Sequence, residues 1–246
     1  GAALVANAIA DGSIWQGNAW QEIVAGAKAG AHGKPGTLHF IGLFSDGNVH
    51  SHIDHLRALV VQAKAEGINT VRIHALLDGR DVPETSALDY IVPFEAFLQA
   101  LSTDGFDARI ASGGGRQTIT MDRYDANWPM VARGWRTHVL GEGPQFANAS
   151  AAVNGLREMH PGTIDQDLPE FVIAEFEDNG HGRPIGTIED GDAVVLFNFR
   201  GDRALEITRS FVDDDFSHFD RVRRPDVSYA GMLQYDGDLQ LPKRFL

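Results

Sequence analysis

From Thr37 onward the chain repeats one pattern: a short apolar run, a polar turn, then a stretch whose apolar residues recur every three or four positions. Strands that are apolar on both sides must be covered on both faces, so the alternation selects β-α units around a largely parallel sheet. The expected fold is α/β, three-layered, with a mixed, mainly parallel sheet and helices on both faces. Strands are expected at Leu38 to Leu43, Thr70 to Leu77, Phe106 to Ala111 and Ala193 to Phe199, and Val227 to Leu233 adds another. The first helix opens near Ser51, with Ser51 as its cap and Asp54 completing a shortened capping box. Its buried stripe is Ile53, Leu56, Leu59, Val60 and Ala63, ending at Gly67. Further helices are expected from about Ser86, with Pro93 as the site of a bend, around Asn127 to Val139, and after Arg203, with Asp202 as cap. Residues 141–190 hold helical and extended pieces, among them Ala151 to Met159 and Phe171 to Phe176, without a clear period. Residues 1–36, with Trp15 and Trp20 among small residues and a close at Lys34-Pro35-Gly36, read as a helical connecting arm to a unit spanning 37–246.

Charge and composition remove several classes of function. A formal charge of −13 repels a phosphate backbone over the whole surface, so general nucleic-acid binding is excluded. With no cysteine there is no disulfide, thiolate nucleophile or thiolate metal site, which fits a reducing compartment. Residues 1–10 lack a basic leader and Asp11 interrupts them, and no window nears the roughly 20 apolar residues of a membrane span. A cytoplasmic protein is expected.

Four polar loops follow the carboxyl ends of expected strands, where open α/β sheets bind ligands. They carry Arg80, Arg116, Arg200 and Arg203, with Arg123 close behind in Met121-Asp122-Arg123. One arginine after a strand is by default a surface or ion-pairing residue. Five aimed at one crevice suit a small, multiply charged anion, because each planar guanidinium matches two carboxylate or phosphate oxygens at once. A phosphorylated organic acid fits. Gly113-Gly114-Gly115 reads as a tight turn giving backbone clearance near Arg116, since it lacks both the Walker lysine and the Rossmann spacing. Asp46, His50, His52, Asp54 and His55 crowd imidazoles and carboxylates together, which invites a metal reading. His52 and His55 fall at a helix start, where capping or exposure is the default, and His50 is the better candidate as a hydrogen-bond donor or acid/base near the anion. Asp81 serves a substrate hydroxyl or its proton, or else forms a structural pair with Arg80.

In order, Ser45-Asp46-Gly47-Asn48-Val49-His50-Ser51-His52, Asp78-Gly79-Arg80-Asp81, Gly115-Arg116 with Met121-Asp122-Arg123, and Phe197-Asn198-Phe199-Arg200-Gly201-Asp202-Arg203 resemble cofactor-independent phosphoglycerate mutase. Tyr229-Ala230-Gly231-Met232 follows, and the likeness runs from Ala8 onward. It implies interconversion of 3-phosphoglycerate and 2-phosphoglycerate through a phosphoserine, a step of glycolysis and gluconeogenesis that needs no 2,3-bisphosphoglycerate. In that family an alkaline-phosphatase-like domain carries the serine and two divalent metals, manganese or a related ion. The chain resembles only the other, substrate-binding or phosphotransferase domain. The resemblance makes His50, Arg80, Asp81, Arg116, Arg123, Arg200 and Arg203 the substrate-binding set, with Asp81 attending the glycerate hydroxyls as the catalytic residue of this half. It assigns no metal and no cofactor to this chain, and its partners are the phosphoglycerates and the phosphatase domain of the same protein. Asn48 stands where glycine is frequent and Gly201 where proline or alanine is, and the seven positions from Arg116 to Arg123 resemble the longer, plant-like branch. The isolated chain is expected to be inactive. The alternatives are a self-contained metal phosphohydrolase using Asp46, His50, His52 and His55, or a non-catalytic sensor of phosphorylated metabolites.

Overall fold

The computed structural model describes residues 1–246. Eight strands form the sheet: β1 (Leu38–Leu43), β2 (Thr70–Leu77), β3 (Asp107–Gly115), β4 (Gln145–Phe146), β5 (Phe171–Phe176), β6 (Gly182–Pro184), β7 (Ala193–Leu196) and β8 (Ser228–Gly231). The helices are α1 (Ala2–Ala10), α2 (Ser13–Gln16), α3 (Asn18–Ala29), α4 (Ile53–Ala65), α5 (Ala87–Leu101), α6 (Trp128–His138), α7 (Ala149–Met159) and α8 (Leu205–Val212). In space the strands run β4-β5-β3-β2-β1-β7-β8, with β6 paired to β5. All neighbours from β3 to β8 along this order are parallel, as is β4 with β5, while β5 is antiparallel to β3 and to β6.

Three layers follow from the pleat, which sends successive side chains to opposite faces. Phe40, Val71, Ile73 and Val195 enter a core of 39 buried residues shared with α3, α4, α5 and α7. Ile41, Val194 and Leu196 face the other way, onto Val131 and Trp135 of α6 and Ile207 and Phe211 of α8. Every residue of β1 and β7 is buried, as a strand covered on both sides requires. Residues 1–36, read as an arm, are helical as far as Ala29, and Trp20, Ile23, Val24 and Ala27 of α3 lie in the same core as β1 and β2. The Trp20 indole donates to Glu66 beyond the end of α4. No helix is long and apolar enough to cross a membrane.

Several local expectations are corrected. The cap of α4 is His52, whose Nδ1 accepts from the Asp54 backbone N–H at 3.0 Å. Ser51 instead donates to the Leu43 carbonyl, binding the loop back to the end of β1. Asp202 does not cap α8, whose N-cap Ala204 has no side-chain bond. Gly113, Gly114 and Gly115 are the last residues of β3, not a turn. A Cβ on Gly113 would sit 2.3 Å from the Ala75 carbonyl oxygen and 2.5 Å from the Phe171 ring, so the glycines allow neighbouring strands to close up. β7 stops at Leu196, three residues early. There the Asn198 side-chain oxygen accepts from the Leu43 N–H at 2.9 Å, in place of a ladder carbonyl.

Candidate anion-binding site

β1 lies between β2 and β7, so the connections leaving it and its neighbours diverge and open a crevice outside the carboxyl ends of the strands. The loops after β1, β2, β3 and β7 meet there. Asp78, just past β2, is the hub. Its Oδ1 accepts from the backbone N–H of Arg80 (3.1 Å) and Asp81 (2.9 Å), and its Oδ2 from the Ser45 hydroxyl (2.5 Å). Arg116, leaving β3, completes this carboxylate: Nη1 donates to Asp78 at 3.0 Å and to Asp81 at 2.8 Å. The side chains of Arg116 and Asp78 are each 1% exposed, so the pair is shielded from water. Asp81 therefore does form an ion pair, with Arg116 rather than with its neighbour Arg80. The buried Nε of Arg116 has no partner.

The loop after β7 supplies the opposite side. Asp202 lies 3.1 Å from Arg200 Nε, 4.0 Å from Arg123 Nε and 3.6 Å from His50 Nδ1. The Arg200 approach is an ion pair without hydrogen-bond alignment, which leaves Asp202 Oδ1 unpartnered. His50 is buried, its carbonyl accepts from the Phe199 N–H at 2.7 Å, and its Nδ1 also lacks a partner. Burial, and then the Arg116 charge, push its imidazole down to about 4 against the pull of Asp202 and Asp81, so it is neutral at pH 7. Arg203 is held below the ordinary guanidinium value, first by burial and then by Arg116 and Arg80, with Asp202 opposing and Arg123 adding to the repulsion. It remains a cation. Arg80 is exposed, and Arg123 lies over the Tyr124 ring at 4.7 Å with its side chain 46% exposed.

All seven expected residues thus gather at one place. The metal cluster does not. Asp46 accepts from the Tyr90 hydroxyl, His50 faces Asp202, His52 caps α4 and the His55 ring faces Phe199. No three carboxylate or imidazole groups are placed to hold a metal ion, so the self-contained phosphohydrolase lacks its cluster. Asp78 and Ser45 were not expected at the site. The Asp-Gly pair opening the second loop is the signal for Asp78, because an aspartate at the head of a turn accepts the backbone N–H groups two and three residues on. Asp202 was expected only as a cap. Its position between Arg200 and Arg203 is the clue to its role as their counter-charge.

The cavity beside Asp202, about 350 Å³, is lined by Tyr124, Gly201, Leu205, Glu206 and Tyr235 among others. An α/β domain that gathers guanidinium groups and a neutral imidazole at the carboxyl ends of parallel strands has the donor set that carboxylates and phosphates match. The chain belongs to the family described as BPG-independent PGAM N-terminus, which matches residues 5–237. It is 56% identical over its whole length to a probable 2,3-bisphosphoglycerate-independent phosphoglycerate mutase of Leptospira interrogans and 49% identical to the 2,3-bisphosphoglycerate-independent phosphoglycerate mutase of Trypanosoma brucei brucei. Its fold superimposes with a TM-score of 0.93 on a crystal structure of Leishmania mexicana phosphoglycerate mutase at low cobalt concentration, with 47% identity over 99% of this chain. The chain spans 43% of each of these three proteins.

Proposed function

We propose that this chain is the substrate-binding part of a phosphoglycerate mutase that interconverts 3-phosphoglycerate and 2-phosphoglycerate without 2,3-bisphosphoglycerate. The observation that carries the reading is the unfinished bonding in the crevice. Arg116 Nε and His50 Nδ1 are buried without partners, and Arg203 is crowded by Arg116, Arg80 and Arg123. A buried donor left unpaired costs about 1–3 kcal/mol, more when charged, so a ligand that completes it gains what the free protein lacks. A phosphoglycerate carries a charge of about −2.5 to −3 on two groups that both accept forked hydrogen bonds.

In this reading Arg80, Arg116, Arg123, Arg200 and Arg203 divide carboxylate and phosphate between them, His50 offers a neutral imidazole, and Asp81, fixed by Arg116, receives the glycerate hydroxyls. The nucleophilic serine and two divalent ions, manganese or similar, belong to the phosphatase domain of the longer protein, with residues 37–246 as the substrate unit and 1–36 as the connecting arm. The mutase works in the cytoplasm, in glycolysis and gluconeogenesis. Calorimetry with 3-phosphoglycerate, before and after adding the phosphatase domain, tests this. Weak binding to the chain, strengthened by the added domain, with no turnover by the chain alone, is expected. Turnover by the purified chain, or no binding under either condition, overturns it.

A further inference from the structure

On the α6 side of the sheet a buried polar chain runs from one edge of the core toward the crevice. Asp192 Oδ2 meets His39 Nε2 at 2.8 Å, His39 Nδ1 meets His74 Nε2 at 2.9 Å, and His74 Nδ1 meets the Ser112 hydroxyl at 2.5 Å. Ser112 then meets His138 Nδ1 at 2.7 Å, and His138 Nε2 meets the Thr120 hydroxyl at 2.8 Å. Both ends fix its direction. The Asp192 carboxylate only accepts, and the buried Thr120 hydroxyl has no other acceptor, so it donates to His138. Burial holds His74 and His138 well below the usual imidazole value, so each has one donor and one acceptor. The network therefore assigns the proton to Nδ1 of His138 and to Nε2 of His74 and His39.

The Thr120 end bears strain. This β-branched residue has φ 72° and is the centre of a three-residue turn closed by the Met121 N–H on the Ile119 carbonyl at 2.8 Å. That left-handed turn is rare and persists only where its surroundings over-determine it. Gly134 of α6 makes the approach possible, because a Cβ there would lie 2.1 Å from the Thr120 hydroxyl oxygen. The turn presents the Met121 carbonyl to Arg203 Nη1 at 3.4 Å and leads directly into Asp122 and Arg123.

We propose that His138 is a positioning residue: through Thr120 it holds the strained turn that places Arg123 and the carbonyl partner of Arg203, with Ser112 and the histidine chain behind it fixing its tautomer. The link to binding rests on the arginine crevice being the phosphoglycerate site. The test uses the ¹⁵N-labelled chain, reading histidine tautomers, amide exchange at Met121 and Asp122, and affinity for 3-phosphoglycerate. Wild type is expected to show the Nδ1–H form of His138. Thr120→Val, nearly isosteric without the hydroxyl, is expected to speed exchange and weaken affinity by about tenfold each, the order of one hydrogen bond, and Thr120→Ser to restore both. Ser112→Ala, which touches neither the turn nor the crevice, is expected to release the His138 tautomer and move exchange in the same direction. An Nε2–H His138 in wild type, or unchanged exchange in both Thr120→Val and Ser112→Ala, overturns the proposal. If exchange responds while wild type gives no heat with 3-phosphoglycerate even with the phosphatase domain added, the positioning of the turn stands and the ligand assignment falls.

Discussion

Acid should unfold this protein partly through one histidine, and the size of the effect can be worked out. His138 is 1% exposed, and burial, with a smaller contribution from His39, lowers its imidazole from 6.5 to about 3. The native state therefore keeps it neutral while the unfolded chain takes up a proton below pH 6.5. Where the unfolded state binds more protons, stability rises with pH. The His138 contribution is complete above pH 6.5 and is lost as pH falls from there toward about 3. At about 1.36 kcal/mol per pH unit, the loss between pH 7 and pH 5 is about 2 kcal/mol. Urea unfolding at half-unit pH steps measures it, with His138→Gln as the comparison because the amide keeps a donor and an acceptor but does not titrate. The variant is expected to be less stable at pH 7 and to have a profile flatter than wild type by about 2 kcal/mol over the same interval, since groups common to both proteins cancel. Parallel profiles would refute the reasoning, for they would mean that His138 titrates alike in both states.

Arg116→Met leaves the buried Asp78 carboxylate without its counter-ion; with three other donors remaining to Asp78, a loss of about 3 kcal/mol is expected, seen as a fall of about 6–12 °C in Tm, together with loss of 3-phosphoglycerate binding in calorimetry. Gly113→Ala drives a methyl group into the Ala75 carbonyl and the Phe171 ring, and circular dichroism melting is expected to register about 1–3 kcal/mol of destabilisation. Raising ionic strength from about 0.05 to 0.5 M is expected to weaken 3-phosphoglycerate binding several-fold in titrations, because Arg80, Arg123 and Arg200 face solvent where salt screens them.

The strands and helices that bury a continuous face were legible because burial imposes a period. β1 and β2 match their expected bounds residue for residue, and the stripe of α4 is the buried one. The misreadings share another cause. Gly113 to Gly115 carry no side chain to show a period, so only the closeness of Ala75 and Phe171 reveals that they are strand. Ser51 and His52 are both able to cap, and the choice between them depends on the Leu43 carbonyl needing a donor, which local sequence does not contain. The arginines were legible as a set because each follows a strand, but their counter-charges were not. Beyond their own loops, Asp78 meets Ser45 and Arg116 and Asp202 meets His50 and Arg123, and only the topology brings those partners together.

That topology also bears on the proposed function, in which a chain with a formal charge of −13 attracts an anion. Distant surface charge is screened beyond about 10 Å in ordinary salt, whereas groups at the crevice interact at 3 to 4 Å. Arg80, Arg116, Arg123, Arg200 and Arg203 outnumber the carboxylates that pair with them there, Asp78, Asp81 and Asp202, and the neutral His50 adds no charge. Two of those carboxylates, Asp78 and Asp81, are engaged by Arg116 and hold it rigid. Asp202 alone serves the other side, shared by Arg200, Arg123 and the unprotonated His50. In the proposed function, recognition is divided between a fixed guanidinium whose geometry is set before any ligand arrives and several under-neutralised ones whose mutual repulsion an incoming anion relieves. A rigid first contact gives orientation, and the relieved repulsion gives affinity, which is the division of labour a substrate needs if it must be held by one group while another is passed across the opening.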